Sequence, residues 1–251
     1  MQLLGHPKRI SRSKALGFCG AVPVGMERRH APRWWPGGEP TLLALEGASD
    51  VRVLLARGNV IPGSWSKGGG GKMGAAAWQC VDGALQGRNL HVSTFERTWA
   101  EGAGGGWVVG VGVHKGKLGA RPRDAGLVWD TAGGVRTVSA AEDVCLRATD
   151  GTRLAGVIGA RAALWPSVDA PPVDLAPAGM PSSEVCALDG ERQIGLAFKQ
   201  LSARAVLRQG TAASAQDLTP VGCEAGTARE SHYVPLAQAV LWRAQRSRDS
   251  A

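Results

Sequence analysis

The 251-residue sequence predicts an all-β fold, a β-propeller of six blades of about 40 residues each, on three observations. A short apolar phrase recurs along the chain, two other phrases accompany it in a fixed order, and the copy that the N-terminus lacks is found at the C-terminus. Self-similarity at a period of 20–50 residues is the mark of repeat architectures, in which a unit that cannot bury its apolar faces alone is covered by its neighbours.

The recurring phrase ends on tryptophan or its substitute. It reads "HAPRW" to Trp34, "GAAAW" to Trp78, "AGLVW" to Trp129, "RAALW" to Trp165, "RAVLR" to Arg208 and "QAVLW" to Trp242. Five of the nine tryptophans thus occupy one structural position, where a large aromatic plate between sheets would remove about 150–250 Å² from water. At Arg208 the guanidinium is expected to snorkel out of the interface over its apolar stem, or the seam there to be weaker.

A Gly-led apolar stretch precedes each of the first five copies: "GAVPVG" (20–25), "GNVIPG" (58–63), "GWVVGVGV" (106–113), "GTRLAGVIG" (151–159) and "GERQIGLAF" (190–198). In the third of these Trp107, Val109, Val111 and Val113 alternate with Val108, Gly110, Gly112 and His114, the period of two expected of a strand. Residues 139–148 could open a helix through the Ser139/Glu142 capping pattern. Val144, Leu146 and Ala148 alternate, however, and the segment takes the place of "SSEVCALDG" in the next unit, so it is read as a strand.

A third element follows the tryptophan phrase in "PPVDLAPAG" (171–179) and "SAQDLTPVG" (214–222), with "LLALEG" (42–47) as a looser version. Because Asp174 and Asp217 recur, they read as turn or cap acceptors rather than as unique acid–base partners. The units run 2–34 plus 237–245, 35–78, 79–129, 130–165, 166–208 and 209–242 within one domain, 1–251. Pairing of the C-terminal strand with the N-terminal blade would close the ring and remove its exposed sheet ends.

These phrases resemble those of the bacterial HAF-repeat family, described as extracellular repeat proteins. The resemblance rests on "HAPRW", "VDLAPAG", "RQGTAASAQDLTPVG" and "GERQIGLA". Only the first copy keeps the His-Ala pair, and "RESHYVPL" (229–236) lacks the Gly-led strand. The resemblance implies a propeller-like fold and an extracellular or envelope setting; it implies no reaction.

The chemistry-bearing residues form no constellation. "SKGGGGKMG" (66–74) mimics a phosphate loop, but Met73 stands where Ser or Thr must hold magnesium, and a strand phrase follows where a helix is required. The stretch is therefore expected to be a loop between consecutive strands. His6, His30, His91, His114 and His232 show no metal-binding spacing, and no G-x-S-x-G elbow occurs. Cys19, Cys80, Cys145, Cys186 and Cys223 form no C-x-x-C pair, which predicts free thiols rather than a zinc cage.

Neither catalytic residues nor a metal or cofactor is expected. The net charge of +8 permits polyanion binding, but its arginines are scattered, and nucleic acid is an unexpected partner. No apolar run reaches the roughly 20 residues of a membrane span, and no apolar stretch follows the basic start "MQLLGHPKRISRSK", so no secretory leader is expected. The sequence predicts a monomeric, non-catalytic scaffold that binds a protein or glycan on one face. The alternatives are a hydrolase or lyase at the channel mouth and a polyanion binder using the basic termini.

Overall fold

A computed structural model describes residues 13–19, 22–27, 32–33, 41–54, 56–68, 72–82, 84–114, 124–130, 132–138, 140, 142–199 and 202–219. Its strands form five four-stranded antiparallel sheets in chain order. The first holds β1 (Ser13–Cys19), β2 (Val22–Glu27), β3 (Pro32–Arg33) and β4 (Thr41–Leu42), and the second β5 (Asp50–Val53), β6 (Val60–Ser66), β7 (Met73–Val81) and β8 (Ala84–Asn89). The third holds β9 (Phe95–Gly104), β10 (Trp107–His114), β11 (Asp124–Asp130) and β12 (Val135–Val138). The fourth comprises β13 (Val144–Thr149), β14 (Leu154–Ile158), β15 (Arg161–Trp165) and β16 (Val173–Asp174), and the fifth β17 (Ser182–Asp189), β18 (Arg192–Lys199), β19 (Ser202–Arg208) and β20 (Gln216–Asp217).

The three recurring phrases now have places. The Gly-led stretch is the second strand of each sheet, the tryptophan phrase the third, and the "DL" element the fourth. Each sequence unit from 35–78 to 166–208 therefore spans the last strand of one sheet and the first three of the next. Residues 139–148 contain β13, and the glycine-rich stretch 66–74 joins β6 to β7 with Lys67 N donating to Lys72 O at 3.0 Å. A strand rather than a helix follows that loop, which removes the phosphate-loop reading.

Apolar clusters fill the seams between consecutive sheets. Trp78 packs with Val24 and Leu43 of the first sheet, Trp129 with Val60 and Ala77 of the second, and Trp165 with Val109 and Val128 of the third. The three indoles are only 1–2% exposed, so each contributes on the order of 150–250 Å² of burial to the seam with the preceding sheet. Buried hydroxyls close the backbone across two of these seams: Ala75 N donates to Thr98 Oγ1 at 2.8 Å, and Ala162 N to Ser183 Oγ at 3.0 Å.

A column of glycines fixes the inner half of every sheet. Gly25, Gly63, Gly110, Gly156 and Gly195 pair with Ala15, Val53, Ala100, Leu146 and Val185 on the first strands. A methyl group on Gly63, Gly110, Gly156 or Gly195 would overlap the carbonyl oxygen of Arg52, Trp99, Cys145 or Glu184. In four sheets the first strand then bulges by one residue, at positions 16, 101, 147 and 186. A bulge re-aims the side chain of the extra residue.

The expected sixth blade, its pairing with the N-terminal sheet, Trp34, Trp242 and Cys223 lie outside the described residues. Four strands of the first sheet come from residues 13–42 alone. Among the described residues no helix is long and apolar enough to cross a membrane.

Candidate functional site

The bulged residues of two consecutive first strands meet a carboxylate of the third in one charged centre. Arg147 of β13 places Nη1 at 3.4 Å from Glu101 Oε2 of β9, and Nη2 at 3.4 Å from Glu184 Oε2 of β17. Cys145 stands two residues before Arg147, and Cys186 donates from Sγ to Glu184 Oε1 at 3.6 Å. The bulges at 101 and 147 thus turn a carboxylate and a guanidinium out of the strand alternation and toward one another. Arg57, between β5 and β6, donates Nη1 to Leu188 O at 3.1 Å, joining the second sheet to the fifth.

Burial dominates the electrostatics of this centre. Burial pushes the Glu101 carboxyl up, with Arg147 pulling it back and Glu184 adding to the rise. Burial likewise raises the Cys145 thiol to about 11 and the Cys186 thiol to about 12. Both thiols are protonated at neutral pH, whereas a nucleophilic cysteine needs a lowered pKa. Cys19, Cys80, Cys145 and Cys186 are free, as expected. Among the described residues no group of three or more His, Cys, Asp or Glu side chains could hold a metal ion.

The repeated aspartates serve as the sequence predicts. Asp174 Oδ1 accepts from Ala176 N and Asp217 Oδ1 from Thr219 N, each at 2.8 Å, which are Asx turns at the fourth strand. Each also faces an arginine of the third strand, Arg161 and Arg204 respectively. The repeat thus carries an ion pair that the sequence reading did not single out, although the arginine recurs in "ARAALW" and "ARAVLR".

Arg208 corrects an expectation. Its side chain does not snorkel: the residue is 0% exposed, Nε donates to Leu175 O at 2.8 Å, and Nη2 contacts Leu196 O at 3.4 Å. Trp78 makes the matching contact, donating Nε1 to Ala44 O at 3.1 Å. Arginine thus keeps a donor directed at the segment that ends the preceding sheet, which an aliphatic residue could not.

Trp129 makes no such contact. It is 2% exposed and its Nε1 has no acceptor among the described residues. Beside it, between the second and third sheets, lies a recess of about 250 Å³. Val60, Ala77, Leu90 and Val108 give it an apolar wall, while Gln79, Gln86, Arg88 and Asp130 supply the polar groups. No recurring phrase points to it, because its walls come from strands of two different sheets.

No family model and no curated protein matches the chain. Solved structures do. TolB from Acinetobacter baumannii aligns at TM-score 0.50 and 11% identity, over 80% of this chain and 51% of that one. A nidogen/laminin complex aligns at TM-score 0.46 and 15% identity, over 79% of this chain and 73% of that one. The chain spans about half the length of the TolB structure. The TolB likeness concerns the fold alone: this chain is an all-β, propeller-like stack of four-stranded sheets.

Proposed function

We propose that this protein is a non-catalytic repeat scaffold that binds a partner, protein or glycan, at the seam between its second and third sheets. The observation that carries this reading is the recess beside Trp129, a concavity between two sheets onto which a buried indole N–H opens with no acceptor among the described residues. A concave, largely apolar site with a few convergent polar groups is the usual form of a binding site.

The finer architecture belongs to the same proposal. Six sheets, closed by pairing residues 237–245 onto the N-terminal sheet, would make a complete ring; what supports this is that the phrase forming β7, β11, β15 and β19 recurs at 237–242. Membership of the HAF-repeat family, and with it an extracellular or envelope setting, is supported by the phrase order that the sheets follow.

The test is a peptide and glycan array probed with the full chain, alongside a panel of ester, glycoside and polyuronate substrates. Saturable array binding that Gln86→Trp abolishes at the recess rim, without turnover on the panel, is the expected result. Turnover on the panel that is lost on mutating Glu101 or Glu184 would overturn the reading.

A further inference from the structure

We propose that the recess between the second and third sheets takes one carboxamide side chain, Asn or Gln, of an extended peptide that lies along β8. This inference rests on reading the protein as a binding scaffold and names the partner class and site.

β8 ends its sheet in the order β5-β6-β7-β8, and no described strand pairs with its outer side. It is six residues long and exposed at every position except Leu85, which is half-buried. The corresponding fourth strands β4, β16 and β20 have two residues each and β12 has four. Free N–H and C=O groups in a row are a template for an added strand, and short edge strands are one way that proteins avoid it. β8 keeps the template, and main-chain pairing of this kind holds extended peptides irrespective of their sequence.

At the recurring position Trp78 and Arg208 send an N–H to the segment that ends the preceding sheet. For Trp129 that segment is β8 and Leu90, and the recess lies between them. The indole N–H of a nearly fully buried tryptophan requires an acceptor, since leaving it unmet costs about 1–3 kcal/mol. An oxygen entering the recess from a chain on β8 meets that requirement.

Size and charge define the side chain. A volume of about 250 Å³ lies below the roughly 300–1,000 Å³ of drug-sized pockets, so the recess suits one side chain rather than a cofactor. Its rim carries one charge of each sign, Arg88 and Asp130, which balances to neutral. The Gln79 and Gln86 amides can each donate and accept. A neutral group with both an oxygen acceptor and an N–H donor matches this set.

Three probes test the proposal: acetyl-Thr-Val-X-Val-Thr-amide with X as Asn, Asp or Leu, titrated into the full chain with the Trp indole N–H resonances observed by NMR. The expected result is that the Asn peptide binds at least 10-fold more tightly than the Leu peptide and shifts the Trp129 resonance. Trp129→Phe should collapse that ratio, and Gln86→Trp, placed on the exposed strand, should abolish binding of all three. A site built to hydrogen-bond a group rejects the analogue that lacks it, which makes the ratio the decisive reading. Equal binding of Asn and Leu peptides, a preference for Asp, a ratio unmoved by Trp129→Phe, or no binding at millimolar concentration overturns this assignment. If peptides or glycans bind an array regardless of Gln86→Trp, only this site falls; if none binds at all, the scaffold reading falls with it.

Discussion

Arg208 and Leu175 join the fourth and fifth sheets through a buried hydrogen bond of 2.8 Å from Nε to the carbonyl oxygen. The guanidinium faces no carboxylate within salt-bridge distance among the described residues, and its Nη1 has no acceptor. Burial lowers its pKa to about 10, with Cys186 opposing, so it remains protonated at neutral pH. The seam keeps its geometry and carries a buried, unpaired charge.

Replacing Arg208 with tryptophan should therefore stabilise the chain. The indole retains an N–H for Leu175 O and removes the charge, for a gain of about 1–3 kcal/mol. Arg208→Leu, which removes charge and hydrogen bond together, should gain less. Urea unfolding at pH 7 distinguishes the two, and a loss of stability in Arg208→Trp would contradict this account of the seam.

Gly156→Ala and Gly195→Ala should each cost about 3 kcal/mol, because the added methyl meets backbone of the first strand that no rotamer change can clear. Gly68→Ala, whose methyl would make only an ordinary contact at 3.4 Å from Ser49 Oγ, is the control and should cost well under 1 kcal/mol. Thermal melts of the three variants check this.

Arg147→Met leaves Glu101 and Glu184 facing one another across the centre. Since Arg147 is 37% exposed, screening reduces the cost to about 1–2 kcal/mol. The sign of the pH dependence follows. Without the guanidinium nothing pulls the Glu101 carboxyl back, so it rises further above its unfolded pKa; stability is greatest when it is protonated and is lost as pH rises through its folded value. The melting temperature of Arg147→Met should approach that of the parent as pH falls from 8 to 4.5, and a constant gap would contradict it.

The thiols carry a second pH signature. Cys145 and Cys186 stay protonated in the fold up to about 11 and about 12, against 9.0 for the free group. Their contribution is intact below pH 9 and is lost as pH rises above it, because only the unfolded chain then releases the protons. Iodoacetamide at pH 8 should modify both residues much more slowly in the native protein than in urea, as read by peptide mass spectrometry.

The repeat was legible in the sequence because local phrases became local strands. Trp78, Trp129 and Trp165 are buried on the third strands of their sheets, and Val144 to Thr149 forms a strand despite the capping pattern before it. The glycine column was present in "VIPG", "VVGV", "LAGV" and "QIGL" but reads as turn chemistry until the strand pairing shows which carbonyl each glycine admits. The snorkelling expected of Arg208 failed because its hydrogen-bond acceptor lies 33 residues away, in another sheet. The Glu101–Arg147–Glu184 centre and the recess beside Trp129 escaped notice for the same reason. Bulges and seams assemble residues that share no phrase.

Hydrogen exchange along β8 tests most directly the claim that the protein binds its partner at the seam of the second and third sheets. With a peptide selected on the array bound, amides of residues 84–89 should exchange at least 10-fold more slowly while those of β13 keep their rate. Protection confined to β9, β13 and β17, with β8 unchanged, would place the partner at the charged centre and contradict the account.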